Sequence, residues 1–189
     1  MGNLRLSVKG MAAVLVLAGC AGTPGPAGDA AAAPAKPVAW VVLAGANTCG
    51  VPGFRDAFIR QLRAARAAAH QCGNVSMQPA PPLAWSDALF SAAARHSADM
   101  ARRDYFDHAS PEGVRVGQRV TAEGYTWRGV GENIAGGDKS IDRVMAGWMR
   151  SPGHCKNIMQ PEFTEVAVAC VERPDSQWGT YWTMVLGRR

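Results

Sequence analysis

Residues 165–189 constrain what this chain can fold into more than any other stretch. "EVAVACVERP" and "QWGTYWTMVLGRR" are both rich in β-branched and aromatic residues, and Pro174, Asp175 and Ser176 supply turn chemistry where they meet. That combination predicts an antiparallel hairpin. Ahead of it, back to about residue 54, the apolar residues recur mainly at helical spacing. Helices first and strands last predict an α+β domain, with helices packed on a small antiparallel sheet.

"VPGFRDAFIRQLRAARAAAH" puts Phe54, Phe58, Leu62 and Ala65 on one helical face. Arg60, Arg63 and Arg66, three residues apart, read as a solvated opposite face. The helix should stop at "QCGN", where Gly73 suits a C-terminal cap. A proline-rich crossing delivers Trp85, and Ser86 then reads as the N-cap of a second helix, "DALFSAAARHSADMARRD". Leu89, Ala93, His96 and Met100 form one stripe on it, which makes His96 a core histidine rather than a ligand. Ser110 and Pro111 predict the N-cap and first position of a third helix, with Glu112 in its first turn. "RGVGENIAGGDKS" reads as a short strand and loop, and it lacks the glycine spacing and Lys-Ser/Thr of a phosphate loop. Ser140 caps a fourth helix with Ile141, Val144, Met145 and Trp148 inward. Ser151 and Pro152 then predict a new N-cap and a short turn.

The amino-terminal end has export chemistry. Arg5 and Lys9 precede an apolar run from Met11 to Ala18, too short to span a bilayer comfortably. "LAGC" closes the run and resembles the lipobox of bacterial lipoproteins, which implies a signal peptide over residues 1–19 and lipidation of Cys20. Several acyl chains would hold the mature protein firmly on a membrane. Ala21 points to the outer membrane where a cell has two. Residues 20–37 are then a lipidated, Ala/Pro/Gly-rich tether. Residues 38–53 form an extension, either an edge strand or an extended packed segment, and residues 54–189 form one domain. The formal charge of +5 drops by two with the signal. It is modest, and export also argues against a nucleic-acid partner.

Setting Cys20 aside, Cys49, Cys72, Cys155 and Cys170 remain, an even number that favours disulfides in an exported chain. Nearness in sequence pairs Cys49 with Cys72 and Cys155 with Cys170. The rival is a zinc site on His154 and Cys155. Neighbouring residues usually point apart and there is no CxxC pair, so the thiolate-zinc signal is weak.

The order "HSADMARRDYFDHASPEG", "GENIA", "GWMRSPGHCKNIM", "FTEVAVACV" and "YWTMVLG" resembles the CAP superfamily. This is the SCP-like group of cysteine-rich secretory proteins, venom allergens and plant pathogenesis-related proteins, and the likeness is to its compact bacterial branch. The resemblance covers roughly residues 54–189 and implies a three-layer α-β-α sandwich. It also implies a cleft of two histidines and two glutamates. His108, Glu132 and His154 match three of the four; the fourth aligns near Ser151. The longer carboxy-terminal signature of the eukaryotic members is absent.

Two imidazoles and a carboxylate are zinc-ligand types, so His108 and His154 are candidate metal ligands, and Glu132 is the candidate catalytic base. No HExxH helix or GxSxG elbow supports a protease or serine hydrolase. Ser110 and Ser151 have capping roles, and a disulfide would consume the Cys155 thiol. The leading expectation is a binding module for a lipid, a cell-wall fragment or a protein, with a possible divalent metal. The alternative is a metal-dependent hydrolase or peptidase using His108, His154 and Glu132.

Overall fold

The computed structural model describes residues 47–189; the signal, Cys20, the tether and most of the 38–53 extension lie outside them. Eleven elements follow in order: α1 (Phe54–Arg66), β1 (His70–Cys72), β2 (Val75–Met77), β3 (Ala84–Trp85), α2 (Asp87–Arg103), α3 (Val116–Ala122), β4 (Gly129–Gly136), α4 (Ile141–Arg150), α5 (Pro152–Met159), β5 (Glu165–Arg173) and β6 (Gly179–Arg188). The α+β sandwich expected from the sequence is the one observed.

The carboxy-terminal hairpin forms the middle of a four-stranded sheet of order β3-β5-β6-β4. β5 and β6 pair antiparallel from Glu165↔Gly187 to Arg173↔Gly179, and β4 adds antiparallel to β6 as an edge. The two-residue β3 pairs parallel with β5, so the sheet is mixed rather than purely antiparallel. Both central strands are buried almost throughout, as expected for strands covered on two faces.

Alternation along the strands assigns the faces. Val166, Val168, Cys170, Trp182, Met184 and Leu186 share a core with α1, α4 and α5. Ala167, Ala169 and Val185 face α2 and α3, meeting Ala92, Ala93 and Ala94 of α2. Small residues on both sides let that helix lie close to the sheet. On the other face Phe54 stacks on Trp182, with ring centroids 5.9 Å apart.

Several local expectations change. The cysteines pair as Cys49–Cys170 and Cys72–Cys155, not as sequence neighbours. Thr48 forms a parallel bridge with Cys170, which brings Cys49 alongside β5. Cys72, at the end of β1, lies against α5 and its Cys155. Gly73 is not a helix cap, since α1 ends at Arg66 with Ala67 as its C-cap. Gly73 instead opens the two-residue β1–β2 turn at φ 68°, a hairpin position suited to glycine. A Cβ there would lie 2.9 Å from Pro152.

The third helix starts at Val116 rather than beside Ser110. Ser110 closes a tight turn instead, its carbonyl accepting from Gly113 N and its hydroxyl from Val114 N. After Ser151 and Pro152 the chain makes an eight-residue helix, longer than a short turn. Arg66 is not solvated. It is 1% exposed, and its guanidinium donates to the carbonyls of Pro81, Ile158, Gln160 and Phe163. A three-residue step falls short of a turn by about 60°, so the third arginine drifts toward the face of Leu62.

Candidate functional site

Edge strand β4 builds the site because its successive side chains point to opposite faces of the sheet. Glu132 points to the α2 side, opposite Val185 of β6, and Asn133 points to the α5 side, opposite Met184. Glu132 is only 7% exposed, and a buried carboxylate must be paired and hydrogen-bonded. Its Oε2 accepts from Arg119 Nη2 at 2.7 Å, and its Oε1 accepts from His108 Nδ1 at 2.8 Å. Arg119, from α3, also donates to the carbonyls of Val114 and His108. It thereby pins the loop that carries His108.

His96 of α2 lies beneath this pair. It is buried, with Nε2 3.0 Å from the Asp107 carbonyl and 3.9 Å from Glu132 Oε1. The core histidine expected from the helical stripe is therefore also part of the floor of the site. On the far side, Asn133 Nδ2 donates to the His154 carbonyl, and Asn157 Nδ2 donates to Asn133 Oδ1 and the Glu132 carbonyl. These bonds tie α5, and with it His154, to β4. Ser151, where the fourth cleft group would align, is the N-cap of α5.

The electrostatics separate the three histidines. Burial pushes His96 down to about 4, against the opposing pull of Glu132, so it is neutral near pH 7. The hydrogen bond to Glu132 raises His108. Burial and then the charge of His108 lower His154. For Glu132, burial pushes the carboxyl up. The His108 hydrogen bond and the charge of Arg119 outweigh it and hold the group below its ordinary value.

This arrangement bears on the metal and enzyme readings. Each Glu132 oxygen accepts one hydrogen bond, from Arg119 or from His108, and this pairing favours the ionised form and makes the carboxylate a weaker base. Two imidazoles remain, fewer than the three protein ligands of a catalytic zinc site. Among the described residues, no group of three or more His, Cys, Asp or Glu side chains is placed to hold a metal ion. With Nδ1 directed at the carboxylate, His108 has a fixed ring orientation and turns Nε2 away from Glu132.

Sequence reading did not find Arg119 or Asn157, nor the place of His96 beside Glu132. A buried "GEN" glutamate demands a cation, but the many arginines ahead of it gave no means of choosing one.

A sandwich whose edge strand holds a buried, ion-paired carboxylate, with a histidine-bearing loop bonded to one side and a histidine-bearing helix to the other, is the class that fold and site define. The chain matches the cysteine-rich secretory protein (CAP) family over residues 55–186, and it belongs to that family. It is 38% identical over 102 residues to the uncharacterized protein YkwD of Bacillus subtilis, covering 54% of this chain and 38% of that one. It is 29% identical over 86 residues to the uncharacterized membrane protein YlbC of the same organism, covering 46% of this chain and 25% of that one. The chain thus spans well under half the length of these relatives.

An extracellular SCP-domain protein of Bacillus anthracis superposes with a TM-score of 0.55 at 25% identity, over 72% of this chain and 42% of that one. An outer surface protein of Borrelia burgdorferi does so at 0.54 and 18%, over 70% and 88%, and shows the fold alone. No helix among the described residues is long and apolar enough to cross a membrane.

Proposed function

We propose that this chain is an exported, membrane-anchored CAP-domain binding module whose ligand seats between His108 and His154. The observation that carries this reading is the pairing of Glu132 with Arg119 and His108. A carboxylate held by Arg119 and His108 organises the walls of a site and is poorly placed to abstract a proton. Cys20 anchors the protein through lipid, and the ligand is a lipid, a cell-wall fragment or a protein. A divalent ion held by the two imidazoles is an accessory to such binding, without turnover.

Zinc titration of the full-length protein, beside the double change His108→Ala/His154→Ala, tests the metal. Equal uptake by both proteins removes it. Hydrolysis of peptides or esters by the wild type that Glu132→Gln abolishes would overturn the binding reading. Labelling with palmitate should vanish in Cys20→Ser, and persistent labelling refutes the anchor.

A further inference from the structure

Two of the four exposed large hydrophobic side chains among the described residues meet each other, one of them two residues before His108. Phe106 is 36% exposed and Trp178 is 39% exposed, with ring centroids 5.0 Å apart and planes inclined at 37°. Trp178, from the turn before β6, is seated on β4. A Cβ on Gly136 would lie 3.1 Å from its ring, so glycine there lets the indole rest flat on the strand. Gly136 and Glu132 are four residues apart and share a face of β4, about 13 Å along at ~3.3 Å per residue. The loop above runs the same way: Phe106 covers the Gly136 end through Trp178, and His108 covers Glu132. The aromatic pair and the histidine cleft are thus two ends of one track along the edge strand.

The form of the track selects its occupant. Two partly exposed rings fall far short of the roughly 800 Å² that each partner commits to a stable protein complex. A peptide could add to the β4 edge as a strand, but the carbonyls of Glu132 and Ile134 are already taken by Asn157 and Trp148. An acyl chain needs a concave site that buries most of its surface, and this pair is open. What suits partly exposed aromatic rings in polar surroundings is a ring with apolar C–H faces and a hydroxyl rim. Exposed Asp107 and Gln177 supply such surroundings.

We propose that Phe106 and Trp178 form a sugar-stacking platform, and that the ligand of this protein is a saccharide chain running from that platform to His108 and His154. The proposal rests on the reading of the cleft as a binding site and names its ligand class.

The test uses full-length protein with tetrasaccharides of β-1,4-linked glucose and of β-1,4-linked N-acetylglucosamine. Binding is followed by calorimetry and by the Trp178 indole NMR resonance. The platform predicts that at least one sugar binds and moves that resonance. Trp178→Ala and Phe106→Ala should each weaken binding about ten-fold or more, and Trp178→Tyr should largely retain it. No binding of either sugar at millimolar concentration overturns the proposal, as does binding that leaves the Trp178 resonance unmoved. The resonance reads the wild type, so an unfolded Trp178→Ala would not blunt the test. Binding that depends on Trp178 but not on His108→Ala/His154→Ala upholds the platform and removes the cleft reading.

Discussion

Glu132 and Arg119 are a buried pair, so removing either partner strands the other. Arg119→Leu should cost about 3–5 kcal/mol in urea denaturation, far more than an exposed ion pair would; a loss under 1 kcal/mol would mean the carboxylate is solvated. The histidines set the pH dependence, with signs that oppose each other. His96 is held near 4 when folded. As pH falls below its ordinary value of 6.5, the unfolded chain takes up a proton that the folded chain refuses. Stability therefore drops from about pH 6.5 toward 4, by up to about 3 kcal/mol. His108 is raised, so its stabilisation is complete below 6.5 and is lost as pH climbs through its folded value. That effect is small, because the ring is half exposed. Denaturation midpoints should peak near pH 6–7, and His96→Gln should flatten the acid limb; an unchanged acid limb would contradict this assignment. Arg66 serves structure alone. Arg66→Met leaves buried carbonyls without a donor and should cost on the order of 3 kcal/mol.

At the scale of elements, legibility followed the range of the interaction. Inward faces were readable wherever a stripe had one apolar side: Ile141, Val144, Met145 and Trp148 are all buried on α4. The β5–β6 hairpin was readable because its turn and both strands are contiguous. His108, Glu132 and His154 stood out through motif order, which carried the likeness to the family. Contacts between distant segments were not readable. Cysteine pairing depends on which elements meet in space, and the links join residues 121 and 83 positions apart. Arg119 was hidden for the same reason. Closing loops of that size by entropy stabilises by roughly 4.5–5 kcal/mol each. Non-reducing peptide mapping should recover Cys49–Cys170 and Cys72–Cys155. Cys72→Ser/Cys155→Ser should lower stability by several kcal/mol and first release the β1–β2 hairpin, since a lone two-stranded hairpin is marginal. Amide exchange at Val75 and Met77, which lie in the hydrogen-bonded pairs of that hairpin, would report the release.

For the whole described domain, both layers of helices depend on one sheet, and both disulfides tie its early segments to later ones. Unfolding should therefore be a single cooperative transition, with tryptophan fluorescence and circular dichroism tracing the same curve. Separate curves would show that the two faces melt independently. The placement of β5 and β6 has a further consequence for biosynthesis. The strands at the centre of the sheet follow all five helices in the chain, so α1 through α5 emerge before the surface they bury against exists. Contacts this distant in sequence are slow to form. The domain is consequently kept from completing its core until β6 has been made, so the five helices must wait for their buried partner.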